Sequence, residues 1–182
     1  MVLGIDPGLS RCGYAALEAR GPMKAKALAI GVLTTPPTDP LPKRLAELRA
    51  ELARLVAELR PDVVVVEHVF FQVNVRTAMS VGQASGLALA EASAAGCLVV
   101  QYTPNQVKET VTGWGGADKA QVAKMVQARL GLAEAPRPAD AADACALALC
   151  YLANAPLAAR VASAVDGNAR SARPAPPIAS AS

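Results

Sequence analysis

The sequence predicts one α/β domain built on five strands, and three observations support this prediction. Five short apolar runs are interspersed with longer segments in which apolar residues recur every three or four positions. Hydrophobic residues make up 53% of the chain but aromatic residues only 3%, and the small aliphatic side chains that remain suit helices packed closely on a sheet. The length of 182 residues is ordinary for a single domain.

The first three strands are predicted to follow one another in an antiparallel arrangement. Residues 2–7 and 12–19 are apolar runs separated by Gly8-Leu9-Ser10, which is the pattern of a hairpin. A third run, residues 25–33, follows a turn at Gly21-Pro22. A cluster of Pro and Thr at residues 34–40 then breaks the pattern.

The next pair of elements is a helix followed by a buried strand. Pro40 lies in the first turn of the helix and Pro61 stops it. The following run, residues 63–66, is four consecutive valines, as expected of a strand covered on both faces. The helix is strongly amphipathic, with leucines at Leu41, Leu45, Leu48, Leu52, Leu55 and Leu59.

Residues 75–96 are predicted to form a helix with a stripe of small residues spaced by four. Glycine inside a helix costs up to about 1 kcal/mol, so the close approach of another backbone would justify it. That backbone could belong to the sheet of the same chain or to the same helix in a second copy, and the sequence favours neither. The stripe comprises Ala78, Gly82, Gly86, Ala90 and Ala94.

The remaining elements are a strand at residues 97–103, a short helix from Pro104, and helices at 118–130 and 139–152. The glycine-rich segment 112–117 is expected to be a flexible loop. Beyond residue 155 the chain is mainly Ala, Pro, Ser and Arg with little periodicity. We therefore expect a domain at residues 1–155 and a flexible, disordered tail at residues 156–182.

Composition narrows the cellular context. No apolar run is long enough to span a membrane and no signal peptide is evident, so a cytoplasmic protein is expected. The net charge of +3 is mild but allows a polyanionic partner. With a single histidine, His68, the chain offers few ligands for a zinc ion. Reduced core thiols are expected for the four cysteines, Cys12, Cys97, Cys145 and Cys150.

Four carboxylates lie where functional sites are common. Asp6 ends the first strand and Glu67 the fourth, and strand ends are the usual site of an open α/β sheet. If these strands are neighbours, the two carboxylates converge at one edge of the sheet. Asp140 and Asp143 share one face at the start of the last helix, although in isolation they would suit helix capping and the helix dipole. Together, the four acids would need cations. Oxygen ligands favour Mg²⁺ or Mn²⁺, and two such ions would support phosphoryl transfer.

Five segments, in order, resemble the motifs of the RuvC family of bacterial Holliday-junction resolvases. The resemblance implies a ribonuclease H-like fold with a mixed five-stranded sheet and helices on both faces. It also implies a homodimer that resolves four-way DNA junctions in recombination and repair by nicking two strands of like polarity, with RuvA and RuvB as partners. The segments are LGIDPG at 3–8, VEHVF at 66–70, QVKETV at 106–111, DKAQV at 118–122 and ADAADA at 139–144.

The same resemblance assigns roles to individual residues. It implies that four acids are the catalytic ligands of two Mg²⁺ ions, for which Mn²⁺ can substitute: Asp6, Glu67, Asp140 and Asp143.

DNA-binding roles follow from the resemblance as well. Lys108 and Lys119 would hold phosphate, although without the motifs they would be interpreted as solvated lysines at helix starts. Phe70 would act on unpaired bases near the junction centre. Its neighbour Phe71 departs from the simplest pattern and is left without a role. His68 is excluded from the catalytic set because strand alternation directs it away from Glu67.

Two alternatives belong to other functional classes. The segment 4–10 could be the phosphate-binding turn of an actin-like ATPase or sugar kinase, but those proteins need two such domains and a second glycine-rich loop. The chain could also be a junction-binding module without catalysis. Four acids facing phosphate would then bring no advantage unless a metal lay between them.

Overall fold

A computed structural model of the protein describes residues 1–20, 24–68 and 75–171. Within these ranges the chain forms five strands and five helices. The strands are β1 (Val2–Asp6), β2 (Arg11–Ala19), β3 (Ala25–Thr34), β4 (Val63–Glu67) and β5 (Leu98–Tyr102). The helices are α1 (Leu41–Leu59), α2 (Val75–Ala94), α3 (Pro104–Thr112), α4 (Lys119–Leu130) and α5 (Ala139–Ser171).

The strands form one mixed sheet in the order β3-β2-β1-β4-β5. β1, β2 and β3 are antiparallel, whereas β4 pairs in parallel with both β1 and β5. Helices α1 and α2 cover one face of the sheet, and α3, α4 and α5 cover the other. The predicted five-stranded α/β architecture is confirmed.

The four valines of β4 divide between two hydrophobic cores. Val63 and Val65 contribute to the core beneath α5, and Val64 and Val66 to the core beneath α1 and α2. All four are buried. Because successive strand residues point to opposite faces, a continuous apolar run is what a strand between two helical layers requires. The same alternation decides which residues of β1 and β4 face α5.

Helix α5 lies directly on two glycines of the sheet. A Cβ atom on Gly4 would stand 2.1 Å from the carbonyl oxygen of Ala144, and one on Gly13 would stand 2.0 Å from that of Asp140. No side chain could occupy either position without moving the helix backbone. These two contacts fix the height at which the first two turns of α5 cross β1 and β2.

The small-residue stripe of α2 does not contact the sheet. The side of the helix that packs against it is formed by Ala84, Ala88 and Ala92, all buried. Cβ atoms on Gly82 and Gly86 would meet nothing within 4 Å. Packing on the sheet of the same chain therefore does not explain these glycines.

The last helix is longer than predicted. It continues to Ser171, past the expected end at residue 152, so the segment 156–171 is helical where a disordered tail was expected. Its high alanine content favours the extension, because alanine has the highest helix propensity, whereas Pro156 and Gly167 oppose it. Residues 172–182 lie outside the described residues, and the domain limit at residue 155 stays a prediction.

All four cysteines are free thiols, and three of them are buried, in agreement with the sequence. None of the described helices combines the length and the hydropathy needed to cross a membrane.

Candidate active site

Asp6 and Glu67 lie side by side at the ends of neighbouring parallel strands. The register pairs Ile5 with Val66, which places the two acids level with each other one position further along. Asp6 is two residues from Gly4, and Glu67 is two residues from Val65, and both of these neighbours face α5. Because alternate residues of a strand share a face, both carboxylates point toward α5. Both side chains are half-buried. The predicted convergence of the two strand ends is confirmed.

Helix α5 adds a third acid, and α3 and α4 add two lysines. Asp143 lies one turn along α5 and faces the same cleft, which has a volume of about 270 Å³. Pro104, Val107, Val122, Ala146 and Leu147 form its apolar part. We call it the acidic cleft, and its charged lining consists of Asp6, Glu67, Asp143, Lys108 and Lys119.

The acids perturb one another. Burial raises the pKa of Asp6 to about 7, and the negative charges of Glu67, Asp143 and Asp140 act in the same direction, with Lys119 opposing them. Burial also raises the pKa of Glu67, again with a contribution from Asp143. A carboxyl group whose pKa is raised by both burial and like charges lacks a sufficient cationic partner. The acidic cleft therefore favours the binding of a positive ion.

Both lysines are held at the cleft by helix starts with complete capping boxes. α3 begins after Thr103, which caps together with Gln106, and α4 begins after Asp118, which caps together with Gln121. Lys119 is thus the first residue of α4, and its ammonium lies 2.8 Å from Asp143. The hydrogen bond to that carboxylate raises the pKa of Lys119.

Asp140 is arranged differently from the other three acids. It lies in the first turn of α5, and its carboxylate pairs with the guanidinium of Arg11 at 2.6 Å. It does not line the acidic cleft, although its charge still raises the pKa of Asp6. Arg11 was not among the predicted site residues. One indication in the sequence that Arg11 belongs to the site is that it begins β2 directly after the turn that follows Asp6.

Among the residues that the structure describes, no three His, Cys, Asp or Glu side chains are grouped closely enough to hold a metal ion as they stand. Two of the four acids are instead paired with the chain's own cations, Arg11 and Lys119. The assignment of the four acids as metal ligands stays a prediction.

The other predicted residues are distributed as follows. Phe70 and Phe71 lie outside the described residues. His68 follows the end of β4, and its backbone amide donates a hydrogen bond to the carbonyl oxygen of Tyr102, so it extends the β4–β5 pairing.

The match to a known family decides the classification. A sequence model of the family described as "Crossover junction endodeoxyribonuclease RuvC" matches residues 2–151. The chain belongs to the RuvC family. The resemblance in the five motifs is thereby confirmed, and the actin-like alternative loses its support.

Relatives within the RuvC family match over most of their length. A crossover junction endodeoxyribonuclease RuvC from Salinispora arenicola is 52% identical over 165 residues, which cover 91% of this chain and 94% of the relative. The protein of the same name from Frankia casuarinae is 47% identical over 166 residues, covering 91% and 96%.

Solved structures agree with this classification. T. thermophilus RuvC in complex with Holliday junction substrate has a TM-score of 0.82 and 39% identity, covering 86% of this chain and 95% of that one. The yeast mitochondrial Holliday junction resolvase Ydc2 shares the fold at 16% identity, with a TM-score of 0.63 and coverage of 84% and 78%. The predicted ribonuclease H-like fold is confirmed.

Proposed function

We propose that this chain is a structure-selective endodeoxyribonuclease that resolves four-way (Holliday) DNA junctions in homologous recombination and repair. The observation that carries the proposal is the acidic cleft, in which three carboxylates from β1, β4 and α5 meet two lysines. Membership of the RuvC family supports the substrate, since the relatives are named crossover junction endodeoxyribonucleases. A similar structure was solved with a Holliday junction substrate.

The four predicted acids are proposed as the catalytic ligands of divalent cations, with Mg²⁺ expected and Mn²⁺ as a substitute. The donor chemistry fits, because the cleft offers carboxylate oxygens and no His or Cys. The raised pKa of Asp6 and of Glu67 supports the same assignment, because burial and, second, the negative charge of neighbouring acids both disfavour the charged carboxylates until a cation is bound. Two bound ions would generate hydroxide near neutral pH and stabilise the charge on the phosphodiester.

Binding of cations would change the partners of two acids. Asp140 would turn from Arg11, and Asp143 from Lys119, toward Asp6. In each pair the cation is exposed and the carboxylate is partly buried, and ion pairs near the surface are typically worth about 1 kcal/mol, so bound cations could offset their loss. The released Lys119, together with Lys108, would then be available to a DNA phosphate at the same cleft.

A homodimer is proposed because nicking two strands of like polarity requires two sites. The exposed part of the α2 stripe, which includes Gly86, Ala90 and Ala94, supplies a surface where a second backbone could approach closely. Family membership alone supports RuvA and RuvB as partners. It also supports a role for Phe70 at the junction centre.

The proposal is tested with Asp6→Asn, which keeps the shape of the side chain and removes its charge. This variant should bind a synthetic four-way junction normally and lose Mg²⁺-dependent cleavage by several orders of magnitude. Asp39→Asn is the matched control, because Asp39 pairs with Lys43 at the start of α1. Normal cleavage by Asp6→Asn would refute the site. Linear duplex and RNA/DNA hybrid are assayed in parallel, and a preference for the hybrid would refute the substrate.

A further inference from the structure

Trp114 is the chain's single tryptophan and is 62% exposed. It is the most exposed of the large hydrophobic side chains in the described part of the chain. Tryptophan is enriched at interfaces, where its large ring buries apolar area and its N–H finds a partner. No role for it follows from the acidic cleft, which it does not line.

The segment that carries Trp114, residues 112–117, is held by hydrogen bonds and is not the unsupported loop that its glycines suggested. The hydroxyl of Thr112 accepts from the amide of Trp114 at 3.2 Å and donates to the carbonyl of Lys108 at 2.8 Å. The amide of Ala117 donates to the carbonyl of Trp114 at 3.2 Å. Gly113 adopts the left-handed conformation that ends α3. The backbone of Trp114 is thus fixed between two helices.

The indole ring is also supported from one side. A Cβ on Gly116 would stand between 2.5 and 3.1 Å from three atoms of the six-membered ring, so the ring rests where only glycine leaves space. The ring is therefore oriented before any partner arrives. An aromatic side chain that is already oriented loses little conformational entropy on binding.

The surroundings of Trp114 are apolar with a basic component. The ring borders a shallow cavity of about 300 Å³ that is also lined by Thr112, Ala117, Gln121, Lys124 and Met125. The neighbouring acid, Asp118, accepts a hydrogen bond from the Gln121 amide at 2.8 Å and is occupied in capping α4. An exposed aromatic ring beside a lysine is typical of surfaces that bind single-stranded nucleic acid.

Helix α4 contributes residues to both the cavity and the acidic cleft. Lys119 reaches Asp143 from the first residue of α4, and Trp114 precedes it by five residues, at most about 18 Å of extended chain. Lys124 lies five residues beyond Lys119, a rise of about 7.5 Å along the helix. A DNA strand advances about 3.4 Å per nucleotide. A strand that leaves the acidic cleft in the direction of Trp114 would therefore reach it within a few nucleotides.

We propose that Trp114 and Lys124 form a second DNA contact, which holds the cleaved strand a few nucleotides from the acidic cleft. Lys124 binds a phosphate, and the indole packs against the sugar and base of the adjoining nucleotide. Trp114 is here a positioning residue that affects binding without taking part in the chemistry. The inference rests on the proposed junction substrate. The lysines of both cavities favour this polyanion over a protein partner.

The single tryptophan provides a direct test by fluorescence. The Asp6→Asn protein is titrated with a four-way junction, and its emission should change in proportion to the bound fraction. Unchanged emission at saturation would overturn the inference while leaving the proposed function intact. If the protein bound no junction at all, both would fail together.

Kinetics of variants provide a second test. Trp114→Ala should weaken junction binding roughly tenfold and raise KM with kcat unchanged, because it removes contacts made equally in the ground and transition states. Trp114→Phe should restore most of the affinity. In a plot of the logarithm of the junction-binding constant against the logarithm of salt concentration, Lys124→Gln should make the slope shallower by about one unit. Leu28→Ala, at a residue 47% exposed on β3, is the control. Wild-type affinity of Trp114→Ala would refute the contact and leave a protein partner as the remaining occupant.

Discussion

Gly13 lies against the backbone of Asp140 so closely that a Cβ on the glycine would be 2.0 Å from the aspartate's carbonyl oxygen. Gly13 is also the β2 residue paired with Asp6 in the sheet. A single position without a side chain thus lies between the acid of β1 and the first acid of α5. The distance between these two acids depends on that contact.

Gly13→Ala should displace the start of α5 and destabilise the protein by about 1–3 kcal/mol, as overpacking of a core typically does. Chemical unfolding measures the loss, and cleavage should fall more than the unfolded fraction explains. Gly31→Ala is the matched control in the same sheet. Its Cβ would meet only the end of the Tyr14 side chain, which can move. Equal losses at the two positions would contradict the backbone contact.

The raised pKa of Asp6 predicts how stability depends on pH without metal. The folded-state pKa of about 7 exceeds the ordinary value of 3.8, so the folded protein holds this proton more tightly than the unfolded one. The resulting stabilisation is complete below about pH 4 and is lost as pH rises through 7, a difference of at most ~4 kcal/mol. In EDTA, Asp6→Asn should therefore match the wild type near pH 4 and exceed it at pH 8.

Added Mg²⁺ should reverse this loss. At pH 8 it should raise the unfolding temperature of the wild type more than that of Asp6→Asn, because the ion binds a charged carboxylate. A stability difference between the two proteins that did not change with pH would argue against the burial and charge repulsion described for Asp6.

Lys119→Gln should affect metal binding and cleavage in opposite directions. Lys119 competes with a cation for Asp143, so its removal should tighten Mn²⁺ binding to the free protein by up to about fivefold, the value of an exposed ion pair. Cleavage should nevertheless fall, because a phosphate contact is lost. Calorimetry with Mn²⁺ and a junction-cleavage assay measure the two effects. Lys43→Gln, which breaks a pair with Asp39 on α1, should change neither.

Gly86→Leu should weaken the proposed dimer while leaving the monomer folded. The Cβ position is open in the monomer, and leucine is the better helix former. Analytical ultracentrifugation at decreasing protein concentrations measures the fraction of dimer, and circular dichroism tests whether the variant is folded. Ala57→Leu on the exposed side of α1 is the control. A variant that dimerises like the wild type would exclude this part of α2 from the interface.

The sequence predicted which acids end their strands, whereas the pairing of β1 with β4 that brings them together was supplied by the structure. Val63 to Val66 are continuous because β4 is covered on both faces, and Asp6 and Glu67 end neighbouring parallel strands. The run of valines and the position of each acid at a strand end can both be recognised within a few consecutive residues. The amphipathic α1 was predictable from its leucine spacing, and Leu48, Leu52 and Leu55 are buried, although Leu41 at its start is exposed.

Contacts between distant segments could not be predicted in this way. The pairing of Arg11 with Asp140 depends on how far α5 descends onto β2, which Gly13 determines. The support of the Trp114 ring by Gly116 depends on the backbone conformation of residues 112–117. In a sequence, glycine indicates only that the backbone has a wide choice of conformations, not which one it adopts. The stripe of α2 was ambiguous because open space and a close neighbour both permit glycine.

The proposed ligands come from three distant parts of the chain, and the last two are carried by the helix that docks on Gly4 and Gly13. During synthesis, the ribosome releases β1 and β4 long before α5. A growing chain therefore has no complete site until nearly the whole domain has emerged. Docking of α5 thus completes both the proposed ligand set and the hydrophobic core on that face of the sheet.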